Sequence, residues 1–414
     1  MSTSPEPVPA ASLWPRTIRS LQERNFRIYW TGQSISSIGT WMQIVAQGWV
    51  VYNLTDSALM LGLVNFVALV PVIPISLLSG VLSDRFSRRN LMLITETILL
   101  IQALVMAILI YLGVLQIWHV ILLSFILGAA ASMEQPARLA IVVDIVGKEN
   151  LSNAVALNSS AYNTARIIGP AIAGLVIASF GEAACFMINS VTYLALIVAL
   201  ILIRIPLQNR SNEHVPLVGG LKDGFEYIKG NKVILGLFLI ISIASFLTIP
   251  YVALMPVFAR DVLTIGAKGL GFLLTAVGVG AILGALLVAY LREGSRGNLL
   301  LMANIAGPIF LLGFAFAGNL PLSLLLVVSV GASNAIRLTL ANSLTQLNTR
   351  DEFHGRVMSI FNLLFNGLSR VGALVIGGLA EVTSISWALG AGAALSVGLG
   401  LVFIFRMPHI RRLP

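Results

Sequence analysis

The sequence predicts an all-helical membrane protein with twelve transmembrane helices in two six-helix bundles and both chain termini in the cytoplasm. Composition is the first observation behind this prediction, because 57% of the 414 residues are hydrophobic and only 10% are charged. Soluble domains carry about 25% charged residues, so lipid must solvate much of this chain. The second observation is that apolar stretches of about 20 residues recur, the length with which a helix crosses about 30 Å of hydrocarbon. The third is the placement of the basic residues.

Twelve stretches qualify as spanning helices, and most of the polar breaks between them are short. Thr55-Asp56-Ser57 is a typical break, whereas one long interruption at 205–232 leaves six spans on either side. Backbone groups cannot remain unpaired in lipid, which favours a helix in every span. The predicted spans are 28–53, 58–82, 91–113, 117–141, 152–179, 183–204, 233–259, 268–290, 298–317, 321–346, 355–380 and 384–405.

The long interruption also sets the predicted domain boundaries. Within it, Leu221, Phe225 and Ile228 fall on one side of an amphipathic segment, a pattern typical of a helix lying on the membrane surface. We predict a cytoplasmic tail, a first six-helix bundle, a cytoplasmic linker, a second six-helix bundle and a second tail at 1–25, 26–204, 205–232, 233–406 and 407–414, respectively.

Basic residues are strongly biased to one side of this topology. If both termini are cytoplasmic, 20 of the 26 lysine and arginine residues fall in cytoplasmic segments. Cytoplasmic loops of membrane proteins are enriched in these residues, so the bias predicts this orientation. Of the other six, two lie in outer loops and four within spans: Arg260 and Lys268, and Arg138, Arg166, Arg337 and Arg370.

The two predicted bundles resemble each other in sequence. The fifth and eleventh spans each carry polar or charged residues at i, i+4 and i+8, a spacing that places them on one helical face. In transporters built from such repeats, the substrate site lies near the middle of the membrane, between the repeats. The two triplets are Asn158, Tyr162 and Arg166, and Asn362, Asn366 and Arg370.

A charged loop joins the second and third spans and reads Gly80-Val81-Leu82-Ser83-Asp84-Arg85-Phe86-Ser87-Arg88-Arg89. Its form, G-x-L-x-D-R-x-x-R-R, resembles the signature loop of the major facilitator superfamily of transporters. The resemblance implies a conformational switch in which Asp84 joins a network that holds the two halves together while the cavity faces outward. The residues of this switch are Gly80, Asp84, Arg85, Arg88 and Arg89.

The arginines of this loop also fit a simpler role, in which they anchor the hairpin and set the topology. Asp84 does not fit that role, because an acidic residue contributes to neither. Ser87 stands where the superfamily usually has glycine, which puts the shape of this tight turn in doubt.

Several further stretches carry a closer resemblance. They include Asn25-Phe26-Arg27, Gly39-Thr40-Trp41-Met42-Gln43, Pro136-Ala137-Arg138 and Ala165-Arg166-Ile167-Ile168-Gly169-Pro170. These are similar to a branch of bacterial exporters that includes the enterobactin exporter and macrolide-efflux-like proteins. The likeness covers nearly the whole chain from Asn25 to Arg406 and implies export, but it does not identify the substrate.

The fifth span contains a G-P-x-x-x-G element formed by Gly169, Pro170 and Gly174. Pro170 removes one backbone donor and loosens the helix, while the glycines permit close packing. The element resembles one that marks exporters running as antiporters. The alternative is an ordinary kink with small-residue packing.

Ionisable groups inside the spans point to proton coupling. A charged side chain at mid-bilayer costs about 2.5–3.5 kcal/mol on insertion scales, so such groups usually face a cavity or a partner. Glu134 lies in the fourth span, one turn from Arg138, and Arg166 lies in the fifth. We expect Glu134 to carry a proton, with Arg138 and Arg166 modulating its charge. The alternative is a structural ion pair between Glu134 and one of these arginines that never titrates.

Side chains of the first two spans extend the predicted cavity. Gln43 and Gln47 are one turn apart, and Asn65 lies in the second span, so with the two triplets they predict a cavity wall. Alternatively, the glutamines are hydrogen-bonding contacts between helices. The central arginines of the triplets favour a substrate with anionic or carbonyl-rich groups.

Other function classes find no support in the sequence. The four histidines do not cluster, so we expect no metal site. A phosphate-binding loop of the form G-x-x-x-x-G-K-[ST] is absent, so ATP is not the expected energy source. No basic stripe or nucleic-acid-binding module is present despite the net charge of +9. The expected partners are a small-molecule substrate, protons and the lipid bilayer, with no cofactor and a monomeric chain.

We therefore predict a secondary transporter of a bacterial inner membrane rather than an enzyme. The favoured function is proton-coupled export of a small amphiphilic compound, such as a drug or a siderophore, by alternating access. The sequence leaves two alternatives open. One is an uncoupled facilitator or importer of the same fold, and the other is a membrane scaffold or sensor that no longer transports.

Overall fold

Every regular element in the described part of the chain is helical. The structure, a computed structural model, describes residues 16–72, 74–75, 87–203, 217–290, 296–411 and 413. The main helices are α1 (Arg24–Thr55), α2 (Ala58–Val67), α3 (Arg88–Tyr111), α4 (Ile117–Gly147), α5 (Glu149–Phe180), α6 (Glu182–Leu202), α7 (Leu217–Gly230), α8 (Lys232–Val262), α9 (Gly266–Tyr290), α10 (Arg296–Ala315), α11 (Leu320–Leu347), α12 (His354–Val382) and α13 (Ile385–Arg406).

Ten helices in the described residues, α3 to α6 and α8 to α13, are long and apolar enough to cross a membrane. α1 has 32 residues but is more polar, because it carries side chains such as Gln33, Gln43 and Gln47. α2 is described as a shorter apolar helix, and residues 76–86, which include the end of the predicted second span, lie outside the described residues. The prediction of an all-helical, multi-span chain is confirmed.

Side chains in the short breaks cap the helices that follow them. Ser57 Oγ accepts a hydrogen bond from the backbone N–H of Met60 at the start of α2. Ser384 caps α13 in the same way. Asn231 accepts from two backbone N–H groups at the start of α8. A side-chain oxygen in this position satisfies donors that the first helical turn leaves unpaired, so the polar breaks fix where the helices begin.

The boundary between α4 and α5 differs from the sequence-based prediction, which ended the fourth span at 141 and began the fifth at 152. The chain stays helical on both sides of Gly147, the single residue with non-helical geometry in this stretch (φ 69°, ψ 173°). A positive φ of this kind favours glycine. Because Ile141, Val142 and Val146 are buried, packing extends the helix beyond the apolar stretch.

α8 is interrupted near its middle. Regular helix ends at Leu247, and short 3-10 and π turns carry the chain from Ile249 to Val262. Pro250 and Pro256 lie in this stretch, and each removes a backbone donor that a continuous helix needs. The bend sets residues 249–256 against the centre of the molecule.

The helices before and after α7 pack mainly among themselves. α1 contacts α5 and α6, and α3 contacts α4 and α6. After α7, α11 contacts α9 and α10, and α12 contacts α8 and α13. We call α1 to α6 the first half and α8 to α13 the second half. Two pairs of helices join the halves extensively, α5 with α9 and α2 with α12.

Glycine permits the close approach of the second pair. A Cβ atom at Gly62 of α2 would lie 2.5 Å from the backbone oxygen of Ala373 in α12. The backbones of α2 and α12 therefore touch where the two groups of helices meet.

The linker helix α7 docks on the start of α12. Asp223 forms an ion pair with Arg356 at 3.2 Å, and Tyr227 stacks on Phe353 with ring centroids 4.3 Å apart. Ile228 is buried, whereas Phe225 is 44% exposed. The amphipathic helix expected from the sequence is present, and one part of its apolar side faces the protein.

Candidate functional site

A cavity of about 870 Å³ lies at the centre of the described residues. α1, α2, α4 and α5 form most of one wall, and α8, α9 and α12 form the other. Near the junction of α4 and α5, the lining residues Leu139 and Val155 are 65% and 44% exposed. We call this side of the molecule the open end, and the opposite side, where α8 meets α9, the closed end.

The structure brings most of the sequence-predicted lining residues together around this cavity. Asn362 and Asn366 are the exceptions, because both are exposed on α12 toward the open end and neither lines the cavity. They do share a helical face with Arg370, as the spacing predicts. The predicted residues that line the cavity are Gln43, Gln47, Asn65, Asn158, Tyr162, Arg166 and Arg370.

Gln43 and Gln47 face the cavity and also join α1 to other helices. Gln43 Nε2 donates to Gln102 Oε1 at 2.9 Å, and Gln43 Oε1 accepts from Asn189 Nδ2 at 2.6 Å. Gln47 Nε2 donates to Ser124 Oγ at 3.0 Å. The two roles that the sequence left open, cavity wall and interhelical contact, are thus combined in the same side chains.

One face of the cavity combines aromatic rings with a cation. The Arg166 guanidinium carbon lies 5.9 Å from the centroid of the Trp41 ring, and Tyr162 meets Trp41 edge-on at 5.8 Å. Tyr162 is 50% exposed, so its ring is accessible from the cavity. We call Trp41, Tyr162 and Arg166 the aromatic wall. It can stack on an unsaturated ring and attract negative charge at the same place.

Glu134 and Arg138 form an ion pair one turn apart on α4. Both line the cavity, and their side chains are 6% and 34% exposed, respectively. Among the described residues, Glu134 pairs with Arg138 and Arg166 makes no ion pair. Arg166 instead belongs to the aromatic wall, so the three residues predicted for proton coupling are split between two places in the cavity.

A second carboxyl group lies beside this ion pair. Glu96 of α3 is fully buried, and its carboxyl group faces that of Glu134, with no other hydrogen-bonding group on its oxygens among the described residues. It lies in the electrostatic environment of Glu134 and Arg138. Ionised carboxylates are costly to bury without partners, so a proton held between the two acids would lower the charge of this cluster.

The second half contributes two arginines without acidic partners among the described residues. Arg370 of α12 lines the cavity, and its Nη1 is buried without a hydrogen-bond partner. Arg337 of α11 is 1% exposed and donates to two neutral groups, Asn334 Oδ1 and, at 3.3 Å, Thr248 Oγ1. Positive charge therefore stays uncompensated in this part of the structure.

The G-P-x-x-x-G element lies between α1 and α9. A Cβ atom at Gly169 would come within 2.5 Å of Trp41 Cβ, so this glycine allows α5 to approach α1. On the other side, a Cβ at Gly271 of α9 would lie 2.7 Å from the Pro170 oxygen and 3.0 Å from Gly174 Cα. α5 stays helical through Pro170, and the element serves as a packing surface for both halves.

A group of polar contacts between the halves lies at the closed end, and sequence reasoning missed it. Arg260 of α8 forms an ion pair with Asp56, and its guanidinium lies 4.1 Å from the centroid of the Tyr52 ring. Tyr52 also donates to Asp261. The available signal was the presence of Arg260 in an outer loop, where few basic residues are expected.

Glu381 makes a second contact of this kind. Its Oε1 accepts from Ser57 Oγ at 2.6 Å and from the Leu59 N–H at 3.1 Å, which ties α12 to the start of α2.

The charged signature loop is only partly described. Gly80, Asp84 and Arg85 lie outside the described residues. Arg88 forms an ion pair with Asp144 of α4 at 2.5 Å. Arg89 donates to the backbone oxygens of Leu200 and Ile201 at the end of α6, at 2.7 and 3.1 Å. Both arginines thus tie α3 to other helices of the first half at the open end.

Sequence comparisons agree with this architecture. Residues 16–413 match the family described as transmembrane secretion effector. The chain is 24% identical over 389 residues to the staphyloferrin A transporter of Staphylococcus aureus, covering 92% of this chain and 95% of that protein. It is 27% identical over 344 residues to the enterobactin exporter EntS of Escherichia coli, covering 81% and 80% of the two chains.

Solved transporter structures share the fold. The nucleoside transporter NupG superposes with a TM-score of 0.76 at 15% identity, covering 92% of this chain and 98% of that one. A D-xylose–proton symporter superposes with a TM-score of 0.69 at 14% identity, covering 96% and 98%. These likenesses concern the fold alone. The family match covers nearly the whole chain and confirms what the charged loop and the exporter-like segments predicted: the chain belongs to the transmembrane secretion effector family of major facilitator superfamily transporters, and is a membrane transporter rather than an enzyme.

Proposed function

We propose that the protein is a proton-coupled exporter of a small amphiphilic compound, such as a drug or a siderophore, in a bacterial inner membrane. The observation that carries the proposal is the central cavity, which is open at one end and closed at the other by contacts between the two halves. A cavity of this size suits a drug-sized ligand, since such sites usually measure about 300–1,000 Å³.

The proposed topology has twelve spans in two six-helix bundles, 26–204 and 233–406, joined by a cytoplasmic linker at 205–232 with cytoplasmic tails at 1–25 and 407–414. α1 and α2 supply two spans in addition to the ten long apolar helices. The proposed transporter is monomeric.

The orientation follows from the basic residues at the open end. Arg88, Arg89, Lys232, Arg296 and Arg356 all lie at helix starts on this side. Cytoplasmic surfaces of membrane proteins are enriched in such residues, so we place the open end in the cytoplasm. The structure then represents an inward-facing state, in which an exporter takes up its substrate.

Alternating access would exchange contacts at the two ends. Opening toward the outside requires the closed-end interactions of Arg260 and Glu381 to break. In the proposed cycle, the signature loop, with Gly80, Asp84 and Arg85, then holds the cytoplasmic ends together. α5 and α9 are in contact through Pro170 and Gly271, so the antiporter-like element lies where the halves must move.

Proton coupling is assigned to Glu134, with Arg138 as its direct partner and Arg166 as a second arginine elsewhere on the same cavity wall. Arg138 holds the Glu134 carboxylate in a direct ion pair, so in the proposed cycle this pair separates when Glu134 takes up a proton. Glu96 offers a neighbouring carboxyl group that can share the proton. One proton crossing about 100 mV supplies about 2.3 kcal/mol. That free energy sustains roughly a fiftyfold substrate gradient.

Two relatives support a substrate of the siderophore type. Their names describe a transporter of staphyloferrin A and an exporter of enterobactin. Identities of 24% and 27% do not identify the substrate of this chain. The proposal therefore extends only to export of a compound of similar size and amphiphilic character.

The test uses proteoliposomes that enclose a pH-sensitive dye. Amphiphilic drugs and siderophores are added to the wild type, to Glu134→Gln and to Glu352→Gln as a control. Glu352 is an exposed acid at the open end, with 66% of its side chain accessible. We expect substrate-driven proton movement in the wild type and the control, and its loss in Glu134→Gln.

Two other results would change the proposal. Unaltered substrate flux and proton movement in Glu134→Gln would exclude Glu134 as the carrier. Substrate flux without any proton movement in the wild type would exclude coupling and leave an uncoupled transporter.

A further inference from the structure

The membrane interior of the described chain carries more positive than negative charge. More than two helical turns from any helix end, the spans contain four arginines and two acids. The one ion pair that the structure shows among them joins Arg138 to Glu134. The six residues are Arg138, Arg166, Arg337 and Arg370, and Glu96 and Glu134. With both acids ionised the interior keeps two positive charges, and with either acid protonated it keeps three.

Two of the arginines lie where a ligand can reach them. Arg166 and Arg370 both line the cavity, one from each half, and neither makes an ion pair among the described residues. Burying a guanidinium without a counter-charge is costly, so such a group favours a negatively charged partner. A ligand in the cavity can supply that charge.

Of the two arginines, Arg370 has a buried hydrogen-bond donor without an acceptor. Its Nη1 is shielded from solvent and has no hydrogen-bond acceptor among the described residues. Guanidinium donors match carboxylate and related oxyanions in geometry as well as in charge. A negatively charged oxygen atom is therefore the group that would complete this site.

Arg337 strengthens the positive potential behind the second wall. It is buried among neutral partners and touches no acid in the described chain. A fixed charge in a poorly screened interior acts over a longer range than a surface charge does. Its field attracts an anion to the cavity without a direct contact.

The aromatic wall specifies the rest of the ligand. Trp41 and Tyr162 present ring surfaces beside Arg166. A saturated chain gains only burial from such a surface, whereas an unsaturated ring also gains stacking geometry. Charge and ring recognition thus lie within one small region of α1 and α5.

We propose that the cavity binds an organic anion that carries an aromatic ring, with the anionic group between Arg166 and Arg370 and the ring against Trp41 and Tyr162. This proposal rests on the proposed function, because it names the substrate class of the same cavity. Binding can nevertheless be measured without transport or proton movement, so the two proposals can fail separately.

The test measures binding of three probes to the full-length protein in nanodiscs by isothermal titration calorimetry. The probes are 1-naphthoate, its neutral isostere 1-naphthamide and the saturated decahydronaphthalene-1-carboxylate. The three have similar size and differ in charge or in ring character. We expect 1-naphthoate to bind at least about tenfold more tightly than 1-naphthamide, as one charge-assisted hydrogen bond allows.

Matched variants connect this preference to the arginines. Arg370→Gln and Arg166→Gln should each remove most of the preference for 1-naphthoate over 1-naphthamide, and Arg370→Lys should retain part of it. Arg350→Gln, which removes an exposed positive charge at the open end, should leave the preference intact. Trp41→Leu should reduce the preference for 1-naphthoate over its saturated analogue. Unchanged affinity for 1-naphthamide in the arginine variants, and for decahydronaphthalene-1-carboxylate in Trp41→Leu, shows that the protein is folded.

Three results would overturn the proposal: no binding of 1-naphthoate to the wild type, equal binding of the anion and the amide, or an unchanged preference in both glutamine variants. If selective anion binding holds but no substrate drives protons in proteoliposomes, the anion site stands and the coupled exporter does not.

Discussion

Removing the charge of Arg260 should shift the transporter toward its outward-open state. Arg260 contacts the other half of the molecule in four ways: an ion pair with Asp56, a stack on Tyr52, a hydrogen bond to the Tyr52 backbone oxygen at 3.3 Å and a long, weak one to Asn53 Oδ1 at 3.5 Å. These contacts exist only while the closed end is closed. Arg260→Gln therefore destabilises this state relative to the outward-open one.

The size of the shift follows from the exposure of each contact. Asp56 is 77% exposed, so the ion pair is worth about 0.5 kcal/mol. The stack on Tyr52 adds about 0.5–1 kcal/mol. The bond to the carbonyl adds about 1 kcal/mol. A total of about 2 kcal/mol changes the ratio of the two states roughly 30-fold. An outward-open population of about 0.5% would thereby rise to about 13%.

The assay is a distance measurement between spin labels at the closed end. Tyr111 at the end of α3 and Val382 at the end of α12 are 84% and 79% exposed, and they belong to different halves. Cysteines replace both in a Cys185→Ala background, because Cys185 is the only native cysteine and is buried. The longer distance should gain population in Arg260→Gln. Lys268→Gln, a loss of charge at the same end, serves as the control.

An unchanged distance distribution in Arg260→Gln would refute this reasoning. So would an equal gain of the longer distance in Lys268→Gln, because the shift would then reflect the net charge of this surface.

Three further perturbations test neighbouring parts of the structure. Glu381→Leu removes the two hydrogen bonds that Glu381 accepts from Ser57 and Leu59, worth about 1 kcal/mol together. The same spin labels should report roughly a fivefold increase in the ratio of the outward-open to the inward-facing state. Gly271→Ala places a Cβ 2.7 Å from the Pro170 oxygen, which should separate α5 from α9 and raise the population of the longer distance between the labels. Gly398→Ala serves as the control, because its Cβ would meet nothing within 4 Å and the distance distribution should stay unchanged. Gln43→Leu leaves Gln102 and Asn189 without their buried hydrogen-bond partner, which costs about 1–3 kcal/mol of stability for each. The melting temperature of Gln43→Leu should therefore fall further than that of Gln47→Leu, which removes a partner from Ser124 only. Equal melting temperatures would contradict the proposed contribution of the Gln43 contacts.

Much of the fold could be predicted because lipid restricts what a backbone can do. A span must be helical to satisfy its own hydrogen bonds, so hydropathy and length are sufficient to locate it. Local capping residues then set the ends, as Ser57 and Asn231 do. The prediction was less accurate where packing overrides hydropathy. The helices that meet at Gly147 continue through polar residues that the hydropathy pattern assigned to a loop.

The site was less accessible to sequence reasoning, because spacing along a helix gives direction but neither depth nor partner. The shared face of Asn366 and Arg370 was predictable, whereas their different distances from the cavity were not. Glu134 had two plausible arginine partners, and only Arg138 lies at the i+4 position that it contacts. The bond between Tyr52 and Asp261 joins residues far apart in sequence, and it depends on which end of the transporter is closed.

The two halves repeat one arginine with different neighbours, which suggests a direct test of the positive interior. Arg138 and Arg337 lie in matching segments, Pro136-Ala137-Arg138-Leu139 ahead of the fifth span and Ala335-Ile336-Arg337-Leu338 ahead of the eleventh. Arg138 is paired with an acid, whereas Arg337 is bonded to the neutral side chain of Asn334. Asn334→Asp adds a negative charge at the oxygen that Arg337 already contacts, with almost no change in volume. Because a buried pair no longer needs an external counter-charge, the potential in the cavity should fall. We expect the affinity for 1-naphthoate to decrease while that for 1-naphthamide stays constant. If the affinity for 1-naphthoate does not change, Arg337 does not act on the cavity, and anion selection must rest on Arg166 and Arg370 alone.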